Sequence, residues 1–112
     1  MTNLTFDWNQ LAQLAGSDPE FEQELLGLFV TDIEDSLLRL VAAVATQDTS
    51  TVEHLAHYIK GASANVGANA LAEAAGQLEQ QAQQGNLEQA ASAVEALKVR
   101  TQEVKHAIAL RY

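Results

Sequence analysis

The stretch LAHYIKGASANVG, residues 55–67, combines an apolar stripe with a histidine that the stripe leaves out. At about 100° per residue, three apolar residues fall within about 40° of Leu55 on a helical wheel: Ile59, Ala62 and Val66. His57 falls near about 200°, almost opposite Leu55. The stretch therefore predicts an amphipathic helix that buries its apolar face and points His57 toward solvent.

The neighbours of His57 on this helix are small or cationic. Gly61 costs about 1 kcal/mol relative to alanine inside a helix, so its presence indicates that bulk is harmful there. Gly61 and Ala64 leave space for another molecule to approach the ring, while Lys60 can bring its ammonium toward an anion attached to that ring. A neutral imidazole offers a nucleophilic nitrogen, and the arrangement is therefore typical of an acceptor site for a phosphoryl group brought by a partner.

Helical signals extend from this stretch in both directions. Five segments carry them, with short polar breaks between neighbours: 6–15, 17–47, 48–67, 68–85 and 86–112. Short breaks favour antiparallel neighbours. The sequence predicts an all-α fold, an antiparallel four-helix bundle with an additional short N-terminal helix, forming a single domain over residues 1–112.

The ends of these helices are marked by capping residues and glycines. Asp7 or Asn3 is predicted to cap the first helix, and Ser17 or Asp18 the second. Asn86 is predicted to cap the last helix. Outside the histidine helix, the apolar residues that recur at three- and four-residue steps form the predicted core: Leu26, Phe29, Ile33, Leu37, Leu40, Val44, Leu71, Ala75, Leu78, Ala82, Leu87, Ala90, Val94, Leu97, Val104 and Ile108.

Composition excludes several classes of function. The chain has 112 residues and a formal net charge of -9, from 15 acidic and 6 basic side chains. A nucleic-acid binder needs a basic surface, and attraction to an anionic membrane surface is disfavoured for the same reason. The chain has no cysteine, which excludes disulfides and thiolate chemistry. No signal peptide or membrane-length apolar run is evident, so we expect a soluble cytoplasmic protein.

The run HYIKGASANVGANAL, residues 57–71, followed by Leu78 and Glu79, closely resembles the histidine-containing phosphotransfer (HPt) domains of bacterial multistep phosphorelays. The pattern of that family is H-x-x-K-G-x-[SA]-x-x-x-G-A-x-x-L, and this sequence matches it without a departure. Residues 14–48 also resemble the family's first long helix and its approach to the histidine helix. The resemblance covers practically the whole chain.

This resemblance implies specific roles. His57 would accept a phosphoryl group from an aspartyl phosphate on a receiver domain and pass it to an aspartate on another receiver. Lys60 would help to hold the phosphoryl oxygens, and Gly61 would leave room for the receiver to dock. In related domains a side chain at the position of Glu79 can reach the histidine ring. Such a contact to Nδ1–H would fix the tautomer and leave Nε2 free to react.

The resemblance also implies the partners. They would be receiver domains of response regulators, of hybrid histidine kinases, or of both. Mg²⁺ and most of the charge stabilisation would come from the receiver, so this chain is expected to need no cofactor or metal and to act as a phosphocarrier rather than an enzyme. A monomer is the family expectation, and the initiating methionine favours a free-standing protein over a domain of a hybrid kinase.

Other interpretations of the same residues stay open at this stage. His57 alone could be an ordinary surface histidine, and the chain could be a non-transferring helical adaptor that docks receivers, although the intact motif argues against an adaptor. His54 and His57 form only a weak metal pair without a third ligand, and His106 is expected to be solvated. Gly27 and Gly76 mark either a functional crevice or close helix packing.

Two groups of surface candidates remain. The acidic residues Asp32, Glu34 and Asp35 form either a solvated face or a charge pattern that selects partners. Apolar residues near the N-terminus either cap the core, which we favour, or form a docking patch: Trp8, Leu11 and Phe21.

Overall fold

The computed structural model describes residues 6–112, and this part of the chain forms five helices and no strand. They are α1 (Trp8–Leu14), α2 (Pro19–Ala45), α3 (Thr49–Val66), α4 (Asn69–Gln83) and α5 (Ala90–Arg111). Helix α2 packs against α3 and α5, and α4 packs against the same two helices, so that four helices enclose one core. Helix α1 lies against α2 and α3. The predicted all-α bundle with an additional short N-terminal helix is confirmed.

Aspartate side chains begin the first three helices. Asp7 Oδ1 accepts a hydrogen bond from the backbone N–H of Gln10 at 3.2 Å, and Asp18 Oδ1 accepts one from Glu20 at 3.0 Å. Asp48 caps α3 in the same way. Of the predicted alternatives, Asp18 rather than Ser17 caps α2, whereas Asn3 lies outside the described residues.

The predicted N-cap of the last helix, Asn86, lies three residues before the observed one. Asn86 Oδ1 accepts a hydrogen bond from the N–H of Glu88 at 3.0 Å, which closes a turn. Helix α5 begins only at Ala90, after the N-cap Gln89. An asparagine side chain that accepts a hydrogen bond from the backbone two residues ahead stabilises a turn in competition with a helix. At Asn86 the turn forms instead of the first turn of the helix.

Helix α3 is rotated relative to its predicted orientation. Ala56 and Ser63 are fully buried, whereas Leu55 and Ala62 are only partly buried. The buried face is therefore centred about 60° from Leu55, on the side of Ala56. This rotation follows from the extensive packing of α3 on α4, and it carries Lys60 close to α4. The predicted core residues outside α3 are buried, except that Val44, Leu87 and Ile108 are partly buried; Leu87 precedes α5 and lies outside the helices.

The C-terminus of α3 is fastened to the start of α1. Gly67 has a φ of 83°, in the left-handed region that favours glycine, and its N–H bonds back to the last turn of α3. Its carbonyl accepts a hydrogen bond from the N–H of Asp7 at 2.7 Å. Gln10 Nε2 donates to the carbonyl of Ala64 at 2.6 Å. These bonds satisfy helix-terminal carbonyls and fix α1 beside the histidine helix.

An ionic cluster around the buried Glu22 joins the end of α5 to α1 and α2. Glu22 is buried and accepts hydrogen bonds from Arg111 Nε at 2.7 Å and from the Tyr112 hydroxyl. Burial alone would raise the pKa of the Glu22 carboxyl, but the hydrogen bonds from Arg111 and Tyr112 outweigh it and the pKa is lowered. The Arg111 guanidinium also lies 4.3 Å from the ring centroid of Trp8.

The apolar residues near the N-terminus do not act as one group. Leu11 is fully buried and Trp8 is packed on the core, as favoured, but the relative exposure of Phe21 is 44%.

Candidate functional site

His57 projects from the middle of α3 into solvent. Its side chain is 69% exposed, although the helix that carries it buries Ala56 and Ile59 in the core. A Cβ added at Gly61 would meet none of the described atoms within 4 Å. Another protein can therefore reach the imidazole across the bare turn at Gly61.

Ala64, the second small residue predicted to give access, is also exposed. Its carbonyl is bonded to Gln10 of α1. Ala64 thus lies on the exposed side of α3 and is tied through its backbone to the N-terminal helix.

Glu79 of α4 contacts two of the predicted site residues. Its Oε2 lies 2.6 Å from His57 Nδ1, and its Oε1 lies 2.7 Å from Lys60 Nζ. The Glu79 side chain is only 9% exposed, whereas those of His57 and Lys60 are 69% and 43% exposed. One nearly buried carboxylate therefore links the imidazole and the ammonium.

This geometry sets the tautomer of the ring. An ionised carboxylate only accepts hydrogen bonds, so His57 Nδ1 must carry the proton that it donates to Glu79. In the neutral ring the lone pair then belongs to Nε2. Nε2 is therefore the nitrogen that can act as a nucleophile.

Lys60 favours the ionised form of Glu79. The hydrogen bond from Lys60 is the largest influence on the pKa of Glu79 and lowers it. Burial of the carboxyl acts in the opposite direction, and the hydrogen bond with His57 lowers the pKa further, so the net shift is downward. The acceptor for Nδ1–H is thus a carboxylate at neutral pH.

The residue after the histidine joins α3 to α2. The Tyr58 hydroxyl donates a hydrogen bond to Asp32, and this bond raises the pKa of Tyr58. Asp32 therefore has a structural partner, and the description of a purely solvated acidic face does not hold for it. Beside this pair runs a shallow groove between α2 and α3, whose lining includes Leu28, Ala62 and Asn65. Sequence reasoning missed this groove, since Leu28 lies outside the predicted buried stripe.

Of the remaining candidates, His54, His106 and Gly27 do not join the site. His54 and His106 are exposed, and the described residues contain no group of three or more histidine, cysteine, aspartate or glutamate side chains suited to a metal ion. Close packing does not account for Gly27, because a Cβ there would meet none of the described atoms within 4 Å. Gly76, in contrast, lies directly beneath the Lys60 side chain.

No helix within residues 6–112 has the length and apolar character that crossing a bilayer requires.

The sequence matches known proteins along most of its length. The family model described as Hpt domain matches residues 24–107. A curated relative, the phosphorelay intermediate protein rdeA of Dictyostelium discoideum, is 29% identical over 99 residues, which are 88% of this chain. The chain spans about two fifths of that relative, the matched part being 39% of its length.

Solved structures share the fold. The crystal structure of histidine-containing phosphotransfer protein B from Pseudomonas aeruginosa PAO1 superposes with a TM-score of 0.91 and 32% identity, covering 99% of each chain. The HPT domain of a sensor hybrid histidine kinase from Shewanella gives a TM-score of 0.76 at 17% identity, covering 95% of this chain and 92% of the other. The second likeness concerns the fold alone.

Proposed function

This chain belongs to the Hpt domain family, and on that premise we propose that it is a phosphorelay carrier whose His57 accepts and releases the phosphoryl group. One observation carries the proposal. The imidazole of His57 is exposed, and Glu79 holds its Nδ1, so that Nε2 is left with the lone pair. A histidine that served only packing would need neither the exposure nor the oriented ring.

The transfer step follows from this tautomer. The lone pair of Nε2 attacks the phosphorus of an aspartyl phosphate on a receiver domain. The Nε2–P bond forms as the P–O bond to the aspartate breaks, and the aspartate leaves as a carboxylate. Both nitrogens of the ring are then substituted, so the ring carries a positive charge that the adjacent Glu79 carboxylate offsets. Attack by an aspartate of a second receiver reverses these bond changes and regenerates the neutral ring.

Lys60 and Gly61 support this step in different ways. The Lys60 ammonium lies 2.7 Å from Glu79, which is itself bonded to His57, so a positive charge is held near the ring that would bear the phosphoryl oxygens. Gly61 leaves the neighbouring turn without a side chain, which suits the close approach of a receiver. Ala64 would extend this low surface toward α1.

The partners that fit this role are receiver domains of response regulators or of hybrid histidine kinases. In this proposal the receiver supplies the acidic pocket and its Mg²⁺, and the chain described here supplies a nucleophile and a docking surface without a metal or cofactor of its own. It would act as a monomeric phosphocarrier in the cytoplasm rather than as an enzyme. Its net charge of -9 disfavours nucleic acid and anionic membranes as partners.

The test is transfer from a phosphorylated receiver that carries a radiolabelled phosphoryl group. Wild type should take up acid-labile label, and His57→Gln should take up none. His54→Gln and His106→Gln are matched controls, because both histidines are exposed and neither contacts Glu79; both variants should label like wild type. Equal labelling of wild type and His57→Gln would reject the proposal. Receiver binding without any label would instead favour a non-transferring adaptor.

A further inference from the structure

The side chain of Lys60 crosses α4 at Gly76. A Cβ added at Gly76 would lie 3.2 Å from Lys60 Cδ and 4.0 Å from Lys60 Cγ. Non-bonded carbon atoms pack best at about 3.5–4.0 Å, so the first of these distances is too short for an undisturbed lysine. The aliphatic part of Lys60 therefore occupies the space that a side chain at position 76 would need.

The far end of the same lysine is fixed one turn along α4. Gly76 and Glu79 are three residues apart and so share one face of the helix. Lys60 Nζ pairs with Glu79 Oε1 at 2.7 Å. Helix α4 thus offers Lys60 a bare stretch of backbone followed by a carboxylate, and the lysine lies along both.

No backbone requirement explains this glycine. Gly76 lies in the interior of α4, which runs from Asn69 to Gln83, and it is not one of the glycines with positive φ. Glycine in a helix interior costs about 1 kcal/mol relative to alanine. The close approach of Lys60 is the feature that a side chain would disturb.

We propose that Gly76 is a positioning residue for Lys60: by leaving the surface of α4 bare, it lets the lysine lie flat and keeps its ammonium on the carboxylate that orients His57. A side chain at position 76 would lift the lysine away. An open hollow beside it, lined in part by Glu73, Gln77 and Gln80, gives the displaced side chain room and a competing carboxylate. The consequence for phosphoryl transfer rests on the function proposed above, whereas the placement of Lys60 does not.

Titration of the Glu79 carboxyl tests the placement without any phosphoryl group. The hydrogen bond from Lys60 is the main cause that lowers the pKa of Glu79, so loss of that bond should raise the midpoint followed by carboxyl ¹³C NMR. Gly76→Leu keeps a good helix former on α4 and should raise the midpoint as Lys60→Met does; Gly76→Ala should raise it less. On a Lys60→Met background, Gly76→Leu should cause no further shift.

Gly27→Leu is the matched control for this titration. Gly27 is also inside a helix, and a Cβ there would meet none of the described atoms within 4 Å, so the Glu79 midpoint should not move. An unchanged midpoint in Gly76→Leu would overturn the proposal. A shift of equal size with and without Lys60 would also overturn it, because the glycine would then act on Glu79 by another route.

Transfer kinetics give the second measurement. Gly76→Leu should slow labelling from a phosphorylated receiver by the same factor as Lys60→Met, within about twofold, and the double variant should be no slower than Lys60→Met alone. Additive losses in the double variant would contradict the proposal. If wild type takes up no label while the Glu79 midpoint still shifts as expected, the proposed function fails and the positioning role of Gly76 stands.

Discussion

Glu79 and His57 are 22 positions apart in the sequence, and their side chains meet with Oε2 only 2.6 Å from Nδ1. The two groups differ sharply in environment, because the carboxylate is 9% exposed and the imidazole 69% exposed. The Glu79 carboxylate, which is held by the packing of α4, thus orients the His57 imidazole, most of which faces water. The direction of the reactive nitrogen depends on the contact between α3 and α4.

Substitution of Glu79 tests this dependence. Glu79→Ala removes the acceptor for Nδ1–H and should slow phosphoryl transfer about tenfold or more, since a hydrogen bond to a charged group is worth about 1.5–3 kcal/mol. Glu79→Gln retains a carbonyl acceptor but not the charge, so its rate should lie between those of Glu79→Ala and wild type. Single-turnover labelling from a phosphorylated receiver measures the three rates. Identical rates would show that the contact does not serve transfer.

Bulk at Gly61 should separate function from stability. The position is open, so Gly61→Gln should keep the fold and raise the free energy of unfolding by up to about 1 kcal/mol through helix propensity. The same side chain would stand in the path of a docking receiver and slow transfer, with Gly61→Ala intermediate. Thermal unfolding and labelling, measured on the same samples, give the two quantities. Transfer by Gly61→Gln at the wild-type rate would show that a receiver does not need a bare position 61 to reach His57.

A buried hydroxyl in α3 should be replaceable with a gain in stability. Ser63 Oγ is fully enclosed and has no hydrogen-bond partner among residues 6–112. An unpaired buried polar group costs about 1–3 kcal/mol, so Ser63→Ala should stabilise the protein by about 1 kcal/mol in urea denaturation. Thr101→Val is the control, because the buried Thr101 hydroxyl donates to the carbonyl of Leu97 at 2.8 Å and its loss should bring no gain. A destabilised Ser63→Ala would show that the hydroxyl is satisfied in solution.

The cluster around Glu22 predicts a loss of stability in acid. The pKa of Glu22 is lowered in the folded state, so its contribution is complete above the ordinary glutamate value of about 4.3 and is lost as the pH falls through the lowered pKa. Glu22→Gln should cost about 1–2 kcal/mol at pH 7, a modest value because the Arg111 side chain is 35% exposed and screened by solvent. Urea denaturation at pH 7 and pH 3 should show a smaller difference for Glu22→Gln than for wild type. Equal differences would mean that the cluster does not titrate as described.

Local sequence signals predicted most of the fold. Asp7 and Asp18, each one of two predicted alternatives, cap α1 and α2, because capping depends on residues within one turn. The same locality explains the error at Asn86, since an asparagine can cap a helix or close a turn and the residues around it do not decide between the two. The rotation of α3 was not predictable either, because it is set by packing on α4, and a fully buried Ser63 does not look like a core residue.

For the site, too, relations within one helix were predictable and contacts between helices were not. His57, Lys60 and Gly61 lie within two turns of one helix, so their relation to one another was readable from spacing alone. The approach of Glu79 was suggested only by resemblance to a family, because it depends on how two helices pack. The fit of Lys60 against Gly76 is a tertiary contact with no local signature, and the sequence left that glycine undecided between crevice and packing.

The positive charge of Lys60 is already paired with the Glu79 carboxylate when His57 carries no phosphoryl group. Lys60 shares its ammonium with Glu79, so an incoming phosphoryl group, with its roughly two negative charges, must compete for a cation that has a partner. The net charge of the chain, -9, gives the phosphoryl group no additional electrostatic attraction. Under the proposed function, a phosphoryl group on His57 would therefore gain less stabilisation from Lys60 than from an unpaired lysine, and its onward transfer would be favoured.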